Sequence, residues 1–280
     1  MPLNGLRVIA FESRRAAEIA VLIEKQGGMA FVAPSVRELP PTDSADALRF
    51  ADRMELGEFD MLVCMTGVGL RLFLKSIAPN FDAERLAKAM RRLTVVSRSS
   101  KPTAVLREMN VPVQIAIQEP NTWREIVAAL GRREERCVAL LEHGKPNPEL
   151  IKALEGFDMK VATYAPYHWE LPEDVGPLRE AVRRLASIEK GSECDVALFT
   201  SSVQLEHLLQ VARETGQEDA VKRALKSSVA VASIGPAMTE ALEEAGLAPD
   251  IVPEHPKMGI LLSAVGALAG PIVQAKRMNM

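Results

Sequence analysis

The chain has 280 residues, enough for about two domains of ordinary size, and its 48% apolar and 25% charged residues are globular usage. A net charge of −3 leaves no basic footprint, which argues against a nucleic-acid partner. The three cysteines, Cys64, Cys137 and Cys194, are far apart, lie in or beside apolar runs and have no metal or disulfide spacing. They read as reduced core residues of a cytosolic protein. The N-terminal MPLNGLRV has no long apolar region, so no signal peptide is expected. Residues 258–275 are uncharged but contain three glycines and a proline. They read as a last core helix ending near Gly270 rather than a membrane span.

Short apolar runs alternate with amphipathic stretches along the chain. The runs are Leu6–Phe11, Met29–Ala33, Met61–Thr66, Leu93–Val96, Val113–Ile117, Cys137–Leu141, Lys160–Tyr164, Asp195–Thr200, Val229–Ser233 and Asp250–Pro253. Runs of this kind are buried strands of a parallel sheet. Helical patterns lie between them, as at Arg14–Lys25, Val68–Ile77, Val203–Arg213 and Met238–Ala245. The alternation predicts an α/β fold of two doubly wound, flavodoxin-like parallel sheets, with five strands in each half.

The halves also repeat. APSVRELP at 33–40 and APYHWELP at 165–172 match at five of eight positions. Their prolines predict two stiff, extended crossings between domains, with Tyr167 near the gap. Phe59-Asp60-Met61-Leu62 answers Cys194-Asp195-Val196-Ala197, and Thr66 and Val68 then fall on Ser201 and Val203. Ser97, Thr103, Leu106, Glu108 and Pro120 fall on Ser233, Thr239, Leu242, Glu244 and Pro256. Asn110 falls on Gly246, and these two residue types tolerate the left-handed helix-end conformation. An internal duplication follows.

Ligands of open parallel sheets bind beyond the carboxyl ends of the strands. The residues there are Ser13 and Arg14, then Thr66, Gly67 and Val68, then Ser97 and Arg98. His143, Gly144 and Lys145 follow, then Thr200, Ser201 and Ser202, and last Ser233, Ile234 and Gly235. Most are small, hydroxylated or basic and open a helix, which suits an anionic ligand. The simpler explanation for each Ser and Thr is helix capping. Gly67-Val68-Gly69 lacks a third glycine at Leu72, so a dinucleotide is not expected. His143-Gly144-Lys145-Pro146 lacks P-loop spacing, and the histidines have no metal spacing. Tyr167 and Trp169 replace Ser35 and Arg37 of the first crossing. Either both pack, or Tyr167 points its hydroxyl into the cleft, where a phenol can donate a hydrogen bond or a proton.

Taken together, LNGLRVIAFESRR, MTGVGLRLFL, HGKP, APYHWELPED, CDVALFTSSVQLEHLL and SIGPAMTEALEEAGLAPDIVPEHPKMGILLSAV resemble the uroporphyrinogen-III synthase family, in particular its thermophilic bacterial branch. The resemblance implies a discontinuous first domain, 1–34 with 173–268, and a second domain, 41–165. Segments 35–40 and 166–172 would form a two-stranded connector and 269–280 a tail. It implies a cofactor-independent, metal-free reaction on a small molecule, hydroxymethylbilane. This linear tetrapyrrole with eight carboxylates loses its hydroxyl as water and closes with the last ring inverted, giving uroporphyrinogen III. Tyr167 falls on the family tyrosine proposed as the acid, and Thr66, Gly67, Ser97, Ser201 and Ser202 fall in loops that face the ligand. A monomer working in the cytoplasm, in tetrapyrrole and heme synthesis and without a membrane, is expected. One departure is Met238, followed by Thr239, where many members carry a threonine three residues after the SIGP glycine. It leaves open a non-catalytic two-domain clamp or sensor for an anionic metabolite.

Overall fold

The computed structural model describes residues 2–187 and 194–279. The chain divides into two compact units, Met1–Arg37 with Glu170–Met280, and Glu38–Trp169. It opens with β1 (Arg7–Ala10), α1 (Ala16–Lys25) and β2 (Met29–Val32), then leaves through β3 (Arg37–Leu39). The second unit begins with α2 (Ala45–Glu55), β4 (Met61–Cys64), α3 (Gly67–Ile77), α4 (Ala83–Met90), β5 (Thr94–Ser97) and α5 (Ser100–Glu108). It continues with β6 (Ile115–Ala116), α6 (Trp123–Leu130), β7 (Cys137–Leu141), α7 (Pro148–Glu155) and β8 (Lys160–Tyr164). After β9 (His168–Glu170) come α8 (Gly176–Ala186), β10 (Val196–Phe199), α9 (Ser202–Glu214) and α10 (Glu218–Ser227). The chain ends with β11 (Ala230–Ser233), α11 (Pro236–Glu244) and α12 (Met258–Met278).

The sheet orders are β11-β10-β1-β2 and β6-β5-β4-β7-β8, parallel throughout. The two proline-bracketed crossings, β3 and β9, pair as a separate two-stranded sheet. The fold is α/β with two doubly wound parallel sheets, as the alternation predicts. Both faces of a parallel sheet are covered, so β4 and β10 are buried along their whole length. Alternate side chains serve different cores. Leu62 and Cys64 meet Phe50, Phe73 and Leu106 on one face. Met61 and Val63 meet Ile126, Leu130, Leu150 and Leu154 on the other. In the first unit Ala197 joins Leu178, Leu208 and Leu242, while Val196 joins Ile19, Leu262 and Val265. Cys64 and Cys194 are buried and not disulfide-bonded, and burial pushes both thiols up to about 12, too high for a reactive thiolate at neutral pH.

The duplication is visible as repeated hydrogen bonds. Asn110 and Gly246 both adopt positive φ, 54° and 70°. Behind them Val111 N–H donates to Leu106 O, and Leu247 N–H to Leu242 O. These are two copies of the same helix-ending motif. The Gln114 side chain accepts from Val95 N–H, as Asp250 accepts from Val231 N–H. Asp60 accepts from Cys137 N–H at the start of β7, as Asp195 accepts from Arg7 N–H at the start of β1. Thus β4, β5, β7 and β8 answer β10, β11, β1 and β2, in the same sheet order. The expected strand at Asp250–Pro253 is one parallel bridge, Ala232↔Ile251, so the sheets have five and four strands rather than five each. The Asp250 carboxylate turns back to Val231 N–H, and Pro253 has no N–H to extend the ladder.

The chain after Gly270 is also not a loose tail. Helix α12 is 21 residues long and continues through Pro271 to Met278. Ala269 and Val273 are buried in the core under α1, and the end is tied down by charge. Lys276 Nζ donates to Leu225 O, Val229 O and Asp250, and Arg277 to Cys194 O and Asp195. By length and composition the helix could also cross a membrane.

Asp195 joins these ends. Its side chain is 5% exposed and accepts from Arg7 N (2.7 Å), Arg7 Nε (3.0 Å) and Arg277 Nη2 (2.7 Å). Burial pushes this carboxyl up, but the hydrogen bonds from Arg7 and Arg277 more than offset it and leave the group below the ordinary aspartate value. The stabilisation is complete above about pH 4 and is lost as pH falls through the depressed value. Asp195→Asn is expected to cost about 2 kcal/mol at pH 7. That is less than for a fully buried pair, because both arginines are about a third exposed or more. Urea midpoints should show this gap at pH 7 and its shrinkage in acid, and equal midpoints at pH 7 would rule the anchor out.

Candidate functional site

In the second unit β4 leads toward β5 and β6, whereas β7 leads the other way to β8. The connections therefore diverge between β4 and β7, where such sheets hold their ligands. In the first unit the same point lies between β10 and β1. Helices α3, α5, α9 and α11 begin near these edges, after Thr66, Ser99, Ser201 and Gly235. All four residues have extended backbones and none caps its helix with a side chain. Capping therefore does not explain the hydroxyls of Thr66 and Ser201, and these helix starts remain suited to an anion. Gly67 is required for space. A Cβ there would lie 2.7 Å from the Lys101 carbonyl, so only glycine lets α3 start this close to α5.

Several predicted hydroxyls are engaged within the loops. Ser97 Oγ donates to Ser99 O and accepts from Thr103, and Ser233 repeats this with Gly235 O and Thr239. Ser13 Oγ accepts from Ser35 and Val36 N–H. Thr200 Oγ1 donates to Glu12 Oε2 at 2.6 Å and accepts from Gln204. Val68, Ser201 and Ser202 are half-buried, Arg14 and Lys145 are exposed, and Ile234 packs into the cores of the first unit. Met238 is 1% exposed in the core, and its neighbour Thr239 is turned toward Ser233, so this turn offers no free hydroxyl.

Tyr167, His143 and Trp169 form one aromatic group in the second unit. The His143 ring stands edge-on to Trp169 at 5.0 Å and to Tyr167 at 6.3 Å. Gly144, at φ 72°, lets the HGKP turn press on Trp169, since a Cβ there would lie 2.4 Å from the indole. Of the two arrangements expected for Tyr167, the structure has the packed one: Tyr167 is 1% exposed and its hydroxyl is buried. The rings of His143 and Trp169 pack at its edges. Arg98 is half-buried, and its Nε is buried with no hydrogen-bond partner among the described residues. Burial lowers the guanidinium pKa, and the nearby Tyr167 opposes that shift.

Sequence reasoning missed Glu142, which closes the apolar run of β7 and looks there like a strand edge. It is 4% exposed, and its Oε1 has no partner among the described residues. Burial pushes its carboxyl up from the ordinary value. The available signal was the repeat: Glu12 follows β1 as Glu142 follows β7, 130 positions later.

A family profile described as uroporphyrinogen-III synthase HemD matches residues 17–263. A Bacillus subtilis (strain 168) protein named uncharacterized protein YjjA is 27% identical over 265 residues, covering 93% of this chain and 94% of its own. A Methanothermobacter thermautotrophicus protein, provisionally named a uroporphyrinogen-III synthase, is 27% identical over 261 residues, covering 91% and 95%. Among solved structures, a mutant uroporphyrinogen III synthase from the extremely thermophilic bacterium Thermus thermophilus superposes with a TM-score of 0.72 at 22% identity, covering 99% of this chain and 100% of that one. That likeness bears on the fold alone. The family profile spans most of the sequence, and the chain belongs to the uroporphyrinogen-III synthase family.

Proposed function

We propose that this chain is a cofactor-independent uroporphyrinogen-III synthase, cyclising hydroxymethylbilane with loss of water and inversion of the last pyrrole ring. One observation carries the reading within this family: four helices start at the carboxyl edges of the two sheets without side-chain caps. A flexible ligand with eight carboxylates suits N–H groups spread over several helix starts better than one dense basic patch. Holding that ligand in the conformation that directs closure supplies much of the catalysis. Tyr167 donates a hydrogen bond or a proton to the departing hydroxyl, beside the Arg98 cation. The protein works as a monomer in the cytosol, a placement supported by three cysteines outside any disulfide.

A second reading, a non-catalytic clamp for an anionic metabolite, is favoured by two observations: Tyr167 is buried, and Met238 fills the place of the family threonine. An isomer assay separates the two. Freshly made hydroxymethylbilane is mixed with the protein, the products are oxidised, and the I and III uroporphyrins are separated by chromatography. The synthase reading expects the III isomer to dominate, and only the I isomer, as in the protein-free control, would leave the clamp.

Tyr167→Phe is expected to lower kcat by about 100-fold with little loss of affinity for product. A clamp would show no change in turnover, or a change in affinity alone.

A further inference from the structure

The duplicated sheets allow an internal comparison at the point where each sheet's connections diverge. The strand registers set the equivalences. Val8 pairs with Val196 as Val138 pairs with Met61, and Phe199 pairs with Ser233 as Cys64 pairs with Ser97. Just beyond the strands, Ile234, Thr200 and Glu12 of the first unit therefore answer Arg98, Met65 and Glu142 of the second. In the second unit ladder hydrogen bonds continue that far: Arg98 N–H donates to Cys64 O, Met65 N–H to Leu141 O, and Glu142 N–H to Tyr164 O. The three backbones therefore stand side by side, about 5 Å apart from strand to strand. Val96, Val63 and Leu140, two residues earlier in each strand, all enter the core under α6 and α7. By strand alternation Arg98, Met65 and Glu142 continue that same face.

The chemistry of the two carboxylates differs because their donors differ: the N–H of Lys145, which answers Arg15, goes to His143 O instead. Glu12 is satisfied: Thr200 Oγ1 donates to its Oε2, and Arg15 N–H to its Oε1. Met65 holds the place of Thr200 and has no hydroxyl to donate. Glu142 Oε1 stays buried without a partner among the described residues, and so does Arg98 Nε on the far side of Met65. Leaving a buried acceptor unsatisfied costs about 1–3 kcal/mol, and burial of the charged form makes it worse. Protonation relieves that cost, and it is the direction in which burial moves this carboxyl. Titratable groups on the surrounding elements are Arg98, Lys101, His143, Lys145, Tyr164 and Tyr167. The α6 and α7 residues packed on this face, Ile126 and Leu150 among them, are apolar.

We propose that Glu142 is the proton-carrying group of this site, with Tyr167 orienting the departing hydroxyl and Arg98 steadying the carboxylate. This rests on the synthase reading above and divides the acid role given there to Tyr167. As the C–O bond of the hydroxymethyl group breaks, the proton of the Glu142 carboxyl leaves with the hydroxyl as water. The carboxylate left behind lies on the same sheet face as the Arg98 cation. After closure and rearrangement, the ring carbon that takes the final bond loses its proton, and the same carboxylate accepts it. No net proton, oxidant or reductant is needed. Burial moves the Glu142 carboxyl up toward the operating pH, which is the direction that suits a group giving and retaking a proton.

The test uses the full chain with freshly made hydroxymethylbilane. Wild type should lose kcat as pH rises through the Glu142 pKa. Glu142→Gln should lower kcat by about 100-fold, leave KM within about twofold and abolish that limb, and Glu142→Asp should recover part of the rate. Met65→Thr recreates the first unit's donor, so it should stabilise the carboxylate and move the limb to lower pH. A structural role for Glu142 would not move the limb in this way. The proposal is overturned if wild type makes the III isomer while Glu142→Gln keeps its rate and its pH limb, or if Met65→Thr leaves the limb in place. It is equally overturned if infrared difference spectra against Glu142→Gln show Glu142 titrating at or below the ordinary glutamate value. If wild type makes only the I isomer, the synthase reading fails first and takes this inference with it.

Discussion

A parallel sheet covered on both faces leaves only its edges for chemistry. In both units the central strand is buried along its whole length, so no strand residue inside the ladder can meet a ligand. Polar and charged side chains are pushed to the first positions beyond the strands, where the backbone turns into a helix and its first N–H groups open outward. Most candidate residues outside the aromatic group lie at or next to such positions, and Ser97 is the last residue of β5. The uncapped starts of α3, α5, α9 and α11 sit at these positions, and the residue before each helix is extended.

Duplication makes the constraint readable, because the two sheets keep the same internal bonds. Ser97 with Thr103 and Ser233 with Thr239 close their loops in the same way, and Asp60 and Asp195 start neighbouring strands in the same way. Bonds kept in both copies are explained by folding alone. Residues that differ between the copies without a folding reason are the better guide to function. By that standard the hydroxyls of Ser97 and Ser233 are structural, whereas Arg98, Met65, Tyr167 and Trp169, all in the second unit, stand out, and Glu142 differs from Glu12 in its partners rather than in its identity.

Much of the fold was legible in the sequence. Fully buried strands read as continuous apolar runs, and Asn110 and Gly246 marked two helix ends with a mechanism. The errors have local causes. Asp250–Pro253 has a strand's apolar content, but its aspartate bonds backward and its proline cannot donate. The helix was expected to end near Gly270, yet the buried Val273 and two cations hold α12 in place beyond Pro271. The site was less legible. A hydroxyl after a strand looks the same in sequence whether it faces a ligand or closes its own loop, and only the partner distances separate Ser97 from Thr66. Glu142 was missed because a carboxylate after an apolar run ordinarily reaches water.

The comparison of Glu12 with Glu142 also bears on how a binding edge becomes a reactive one. The satisfied arrangement in the first unit shows that this backbone accommodates a hydroxyl donor beside the carboxylate. Two donors separate the states: a methionine stands in place of a threonine, and the N–H of Lys145 turns to His143 O where that of Arg15 reaches Glu12. Removing the hydroxyl donor costs about 1–3 kcal/mol, a sizeable share of the roughly 5–15 kcal/mol that holds an ordinary domain folded. The surrounding core can absorb it, since Met65 lies among the tightly buried side chains that anchor β4. What the second unit gains is a carboxyl that burial moves toward its neutral form, on the same sheet face as a cation. That is the direction a carboxyl must move to give up a proton and take it back within one turnover.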